Sequence, residues 1–318
     1  MRKHQQDVSS LFRCVGLNVR SKITTTEHTY EIDARHPRDN WLYPAFRAFQ
    51  ILQKQLQKEG RRVRAFTTIG TGQGVDAIGA YFIFRPRQII LIDIHPNVIV
   101  TAEENVLDNT ASTVRISAYT GNLCQPLRDH ALRPDLIYAK LPNIPFDGSG
   151  SLYSGQLTAT FFSQEWIAKS SRVIEQYLLG QQQAVIREAS ACLASGGSLV
   201  LNLGARVPIV LVQQMFTNAR LKYQELYTMF KIQSQPEWVL GGYARAEKRY
   251  GVTFDFYRFD AAKQQLGSIL AKENLTAEQL KKLLKPFHLS ATDALKQLVY
   301  QRERIGHLVQ VIRGIRRT

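Results

Sequence analysis

Residues 63–80 constrain this chain more than any other stretch. Val63-Arg64-Ala65-Phe66-Thr67-Thr68-Ile69 is apolar and β-branched, Gly70-Thr71-Gly72-Gln73-Gly74 follows, and Val75-Asp76-Ala77-Ile78-Gly79-Ala80 resumes with helical spacing. A strand, a tight turn and a helix start in that order make the usual phosphate or nucleotide cradle of an α/β sheet. Glycine suits such a turn because it adopts positive φ and lets a ligand approach where a Cβ would clash. Turns of this kind also join strands to helices with no ligand involved, so the loop alone leaves both readings open.

The glycines are spaced G-x-G-x-G, and the place of the third glycine in a dinucleotide fingerprint is taken by Val75. The next apolar run, Gln88-Ile89-Ile90-Leu91-Ile92-Asp93, ends on an acid. A carboxylate roughly 20 residues after such a turn, at the tip of the second strand, suits ribose hydroxyls. Glycine loop, second strand and Asp93 together resemble the cofactor site of class I S-adenosylmethionine (SAM)-dependent methyltransferases. The resemblance implies an α/β, Rossmann-like seven-stranded sheet with one antiparallel edge strand. It also implies SAM as the methyl donor and S-adenosylhomocysteine (SAH) as its product. On this reading Ile69, Gly70, Thr71, Gly72, Gly74, Asp93 and Ile94 are cofactor-binding residues.

At 318 residues the chain has room for one large α/β domain with additions, and its 44% hydrophobic content excludes general disorder. A net charge of +15 invites a nucleic-acid partner. Residues 262–318 hold eleven Lys or Arg against four acids, 11 − 4 = +7, so nearly half of the excess lies in the tail. Cys14, Cys124 and Cys192 are odd in number and lack paired spacing, which argues against a disulfide framework or zinc site and fits a reducing cytoplasm. Charges interrupt the first twenty residues, and no apolar run is long enough to span a bilayer. The location expected is therefore cytoplasmic, with an organellar transit segment left open. The histidines show no ligand spacing, and no metal is expected.

Residues 1–60 read as a polar, irregular segment followed by a cap helix that Asn40 starts near Trp41 and that stops near Gly60. In the resembling family a helix before the first strand often lies against the cofactor. Tyr30, Trp41 and Tyr43 are accordingly candidate lid aromatics, Tyr30 also a candidate substrate contact, with plain core packing as the other reading. A helix is expected over 98–107 and a third strand over 114–118, leading into Tyr119-Thr120-Gly121-Asn122-Leu123. The resemblance places Asn122 against the adenine amino group with Leu123 beside it, although a Gly-Asn pair also forms turns unaided.

The fourth strand, 134–138, runs into Lys140-Leu141-Pro142-Asn143. Amino-group methyltransferases carry Asn/Asp-Pro-Pro-aromatic at this loop, and this chain departs from that pattern. Pro142 and Asn143 are the candidate catalytic residues and Leu141 a cofactor contact, while Lys140 receives no catalytic task. Residues 147–190 read as a substrate-lid insertion that carries Tyr153 as a substrate contact, its later part turning into helices over 166–193. A fifth strand, 198–203, leads to Arg206, the candidate clamp for a substrate carboxylate. A surface arginine paired with a loop acid is the alternative. Asp76 is read as capping or solvating its helix, and His95 as structural.

The alternating run 252–259 is expected to close a SAM-binding domain of residues 61–260 with a final hairpin. From Thr276 onward Leu280, Leu283, Leu284, Leu295, Leu298, Ile305, Leu308, Val309 and Ile312 recur at helical spacing. Residues 261–318 therefore read as a basic helical appendage. It would pack on the domain or form a homodimer, or else meet RNA or an anionic membrane through Arg302, Arg304, Arg313, Arg316 and Arg317.

A narrower resemblance covers roughly residues 63–258. Leu141-Pro142-Asn143-Ile144, Asn202-Leu203-Gly204-Ala205-Arg206 and Lys248-Arg249 ahead of Thr253-Phe254-Asp255-Phe256 look like the methyltransferase region of methionine S-methyltransferase. It implies a small-molecule substrate and transfer to the thioether sulfur of methionine. A thioether has no proton to lose, so positioning in a water-poor pocket suffices. N-methylation of a small amine, or of a protein or RNA group, remains an alternative, as does a non-catalytic SAM-binding scaffold.

Overall fold

The computed structural model describes residues 3–30, 32–146, 160–163, 170–272 and 274–316. Five parallel strands form its frame: β1 (Ala65–Ile69), β2 (Gln88–Asp93), β3 (Arg115–Thr120), β4 (Leu136–Ala139) and β5 (Ser198–Gly204). Their order is β3-β2-β1-β4-β5. Ile69 pairs with both Ile92 and Ala139, so β1, β2 and β4 finish nearly level. Five helices cover the two faces: α1 (Leu42–Lys58), α2 (Val75–Phe84) and α3 (Pro96–Asn109) on one, α4 (Gly180–Cys192) and α5 (Ile209–Asn218) on the other. Covered strands read as continuous apolar runs. In β2, Ile89 and Leu91 enter the core with Phe66 and Tyr138, while Ile90 and Ile92 enter the core with Ile137 and Leu201. Chain order reverses between β1 and β4, and ligands of open α/β sheets bind in the crevice outside such a switch point.

The other half of the sheet departs from the expected helical appendage. Residues 305–316 form β7 (Ile305–Arg316), which lies antiparallel beside β5. On its opposite edge β7 carries β6 (Leu221–Ile232), paired from Leu221–Arg316 to Ile232–Gly306. Phe256–Arg258 pairs with β7 beyond the end of β5, and His288–Leu289 extends that pairing, giving nine strands in all. The mixed sheet of parallel strands with a reversed strand near one edge is the expected fold class. The reversed strand, however, comes from the tail and not from the 252–259 run.

The physical reason is plain. Residues 305–314 are all buried, so β7 has no solvent-facing side, and its polar members His307, Gln310 and Arg313 recur every three residues and not every two. Its Leu, Ile and Val then satisfy a helical template by density alone. Gly306 and Gly314 inside the run were the contrary signal, since glycine disfavours a helix interior. Arg313, 2% exposed, donates from Nε to Ser198 Oγ at 2.9 Å, and Arg304 pairs with Asp260. Neither is part of a free cationic stripe.

Residues 233–304 thus open the β6–β7 hairpin and carry α6 (Pro236–Tyr250), α7 (Phe259–Leu270), α8 (Ala277–Leu284) and α9 (Ala291–Gln301). Glu247 of α6 ties this insertion together. Its carboxylate accepts from the backbone N–H groups of Phe254, Ala291 and Thr292 at 2.8–2.9 Å and from Thr292 Oγ1 at 2.7 Å. A negative charge on otherwise unsatisfied donors at the start of α9 is favourable. α8 buries Ala277, Leu280 and Leu284 against Phe230 and Tyr257, so it packs within the chain.

The N-terminal segment is also more ordered than its composition suggested. His4–Asp7 pairs antiparallel with Lys22–Thr25, and Val8, Leu11 and Phe12 are buried. Asn105 of α3 accepts from Thr24 N–H at 2.6 Å and donates to Thr24 O at 3.0 Å, which docks the hairpin beside the crevice. Asn40 does serve the start of α1, accepting from Leu42 N–H at 3.0 Å.

Candidate active site

Two adjoining clefts open at the carboxyl ends of the parallel strands. The first is built by the loops after β1, β2 and β3. Gly70, Gly72 and Gly74 all have positive φ (69°, 52° and 80°), which lets the chain turn sharply from β1 into α2. Ile69, Gly70 and Gly72 line the cleft, together with Asp93, Ile94, Asn122, Leu123 and Leu141. Two of the expected cofactor residues lie behind it. A Cβ on Gly74 would come within 2.8 Å of Val106 Cγ2 and 3.1 Å of Ala102 O, so this glycine permits α2 to meet α3. Thr71 is 3% exposed, with no partner for its hydroxyl among the described residues.

Asp93 fastens the loops to each other. Its Oδ2 accepts from Gly72 N–H at 3.2 Å and its Oδ1 from His95 N–H at 3.1 Å. Burial raises its pKa, and the two backbone N–H bonds only partly oppose this. Beneath it lies Asp76, 2% exposed, which accepts from Thr68 Oγ1 at 2.6 Å and from Ala77 N–H at 2.8 Å. Burial pushes Asp76 up to about 7, with Asp93 adding in the same direction. It is therefore an internal support of the loop, and its bond to Ala77 N–H lies at the helix start that the sequence reading has it cap or solvate.

Tyr30 lies over the glycine turn, its hydroxyl 3.4 Å from where a Cβ on Gly72 would sit, and Gln73 Nε2 donates to its carbonyl oxygen. Burial, followed by the Asp76 and Asp93 charges, raises its phenol pKa, so the group stays neutral. Tyr30 and Trp41 line both clefts. Tyr43 instead packs edge-on against Tyr227 at 6.4 Å, which removes it from the candidate lid.

The second cleft, a cavity of about 590 Å³, lies between the β4 loop, β5, β6, β7 and the insertion. Leu141 and Pro142 line both clefts and Asn143 the second. Asn143 Nδ2 donates to the Tyr243 hydroxyl of α6, and Arg206 Nη1 donates to the same oxygen at 3.5 Å. Arg206 Nη2 donates to Gln233 Oε1, and the guanidinium lies 5.2 and 5.4 Å from the centres of the Tyr243 and Phe256 rings. Arg206 can fold back over β5 only because residue 204 is glycine: a Cβ there would lie 1.8 Å from Nη1. The side chain is 7% exposed, and its Nε has no partner among the described residues. Burial lowers its pKa. It is thus not a surface arginine paired with a loop acid.

Lys140 stands where the clefts join, its Nζ 5.0 Å from the Trp41 ring centre. Burial, with a smaller push from Arg206, lowers it to about 8, so it does not simply reach into solvent. Sequence reasoning missed Lys231, Gln233 and His307, which also line the second cleft. Lys231 and His307 face each other across the β6–β7 pair in register. Recognising 305–316 as a strand would have exposed both. Tyr153 and residues 147–159 and 164–169 of the expected lid lie outside the described residues. Of the remainder, Ile174, Leu178, Leu179 and Val185 are core, while Gln181 lines the first cleft and Thr160 and Gln182 the second. Among the described residues no cluster of His, Cys, Asp or Glu could hold a metal, and no helix is long and apolar enough to cross a membrane.

No protein-family model matches the sequence, and no curated protein matches it. Among solved structures the chain is similar to the YcgJ protein of Bacillus subtilis, with 14% identity over 85% of this chain and 98% of that one, and a TM-score of 0.44. It is also similar to a 16S rRNA methyltransferase of T. thermophilus in complex with AdoMet and guanosine, with 15% identity over 71% of this chain and 48% of that one, and a TM-score of 0.44.

Proposed function

We propose that the first cleft binds SAM and that its methyl group passes to a small, carboxylate-bearing acceptor in the second. The observation that carries this reading is the shared wall. Lys140, Leu141 and Pro142 belong both to the cleft holding Asp93 and the glycine turn and to the cavity holding Arg206. SAM, when bound, supplies an electrophilic methyl on a sulfonium.

The chain's own residues fit that partner. Asp93 is a buried carboxylate on the cleft wall with acceptor capacity left for ribose hydroxyls. Asn122 has an amide suited to the adenine edge, with Leu123 and Ile94 apolar beside it. Tyr30 and Trp41 roof the junction, where aromatic faces tolerate a cation and exclude water. Arg206 presents a planar fork whose Nε is unused, the group best matched to a carboxylate. Fixing the acceptor at its carboxylate sets the distance of its reacting atom from the first cleft.

The thioether of methionine is the acceptor that the sequence resemblance implies, and it needs no base. N-methylation is the second reading. Burial, then the Arg206 and Lys231 charges, lower the His307 pKa well below its usual value. A neutral imidazole in the acceptor cavity can accept a hydrogen bond from an amine N–H. The purified chain incubated with methyl-labelled SAM and a panel of amino acids, amines and RNA, followed by mass spectrometry, tests the proposal. Label on a carboxylate-bearing small molecule supports it. Calorimetric titration with SAH that gives no heat overturns it, and SAH binding without turnover on any acceptor leaves a scaffold.

A further inference from the structure

The cations of the second cleft outnumber what one carboxylate neutralises. Arg206 and Lys231 are 7% and 3% exposed, and with Lys140 they line one cavity. The only bond from Lys231 Nζ is to the carbonyl oxygen of Ile232 at 2.9 Å, which leaves ammonium donors unused among the described residues. Burial lowers Lys231 to about 8 in spite of attraction by Asp39, and the Arg206 and Lys140 charges add to that lowering. Among the described residues, Asp39 is the one carboxylate that acts on this group, from a half-buried position at the rim. Asp33, the other acid of the lining, is engaged by His36 Nδ1 at 3.1 Å. His307 stays neutral, and Arg304 on the rim is held by Asp260. Among the described residues, three inward cations thus face one acid.

A buried charge without a partner costs several kcal/mol, so such a set marks a place for anions. Resting on the reading of Arg206 as a carboxylate clamp, and departing from the methionine that the sequence resemblance implies, we infer that the acceptor is a small dianion, with one acidic group on Arg206 and a second between Lys231 and Lys140. The chemistry shared by its sources is two oxyanions on one small molecule, as in a dicarboxylate or a carboxylate with a phosphate. The cavity is of the size that takes small ligands. The position of Lys140 gives the arrangement a second consequence. Its positive charge at the junction opposes a sulfonium in the first cleft, and the dianion removes that opposition. Acceptor and SAM therefore bind with positive coupling that SAH, neutral at sulfur, lacks.

The test is calorimetry on the full chain at pH 7 with matched probes. L-glutamate and O-phospho-L-serine carry two acidic groups, while L-glutamine and L-methionine carry one. Without cofactor, at least one dianion is expected to bind about tenfold more tightly than the monoanions. Glutamate and phosphoserine as separate arms tell carboxylate from phosphate. Lys231→Met, a near-isosteric change, is expected to erase the preference and leave SAH binding within about twofold, while Lys231→Arg keeps it. The favoured dianion is expected to tighten SAM about fivefold more than SAH. Equal affinities for mono- and dianions, no binding of either dianion, or a preference that survives Lys231→Met overturns the inference. Because the first titrations contain no cofactor, loss of SAH binding bears on the methyltransferase reading alone.

Discussion

The two halves of the crevice are built on opposite principles. The half made by β1, β2 and β3 holds two buried acids, Asp76 and Asp93, within a loop whose backbone N–H groups answer them. The half made by β5, β6, β7 and the insertion holds buried cations that no acid of the described residues pairs with directly. A carboxylate that accepts backbone hydrogen bonds is satisfied by local chain geometry. A lysine or arginine has nothing comparable on the backbone, since carbonyl oxygens offer only dipoles. The first half is thus complete before a ligand arrives, whereas the second is waiting for charge.

The largest test of that contrast is Asp93→Ala. Two charge-assisted hydrogen bonds to ribose contribute together about 3 kcal/mol, so SAH affinity should fall about a hundredfold while circular dichroism stays unchanged. Dianion binding in the second cleft should persist, and its loss would show that the halves are one unit. Arg206→Met comes next. It should raise the acceptor KM about thirtyfold with kcat and SAH affinity nearly unchanged, and Arg206→Lys should not rescue it, because a point charge does not reproduce the fork. An equal loss of SAH affinity would erase the distinction.

Glu247→Gln addresses the scaffold of the second half alone. Losing charge from four hydrogen bonds should cost about 1.5 kcal/mol, read as faster amide exchange in α6 and α9 with β1–β3 unaffected. The smallest effect concerns pH. Lys140 and Lys231 have folded pKa values lowered to about 8 from a higher unfolded value, so the unfolded chain binds more protons between about pH 8 and 10. Stability of the free chain should therefore rise across that window, while dianion affinity falls as the same groups lose charge. Parallel movement of the two curves would remove these lysines from the anion site.

The same contrast governs what was legible in the sequence. The first cleft is written largely in consecutive residues: a β-branched run, spaced glycines and an acid after the next strand, all within 63–93. Eight of the ten residues expected there line it, while Gly74 and Thr71 lie behind it, and His28, Thr29, Val98 and Gln181 line it without being expected. The acceptor half is gathered from Asn143, Arg206, Lys231, Tyr243 and His307, with no short motif joining them. Lys231 and His307 were hidden by a strand covered on both faces, where burial on both sides erases the alternation of period two. The seven-strand frame was readable; the identity of its reversed member was not, because 72 residues (233–304) stand between the partners of that hairpin.

The placement of β7 also affects how the molecule comes into being. β5 ends at Gly204 and the strand that pairs with it begins at Ile305, about a hundred residues later. At translation rates of about 5–20 residues per second, the nascent chain carries an unpaired apolar edge for roughly five to twenty seconds. Such an edge is a template for another chain. Slower synthesis should therefore lengthen that exposure and favour association between nascent chains.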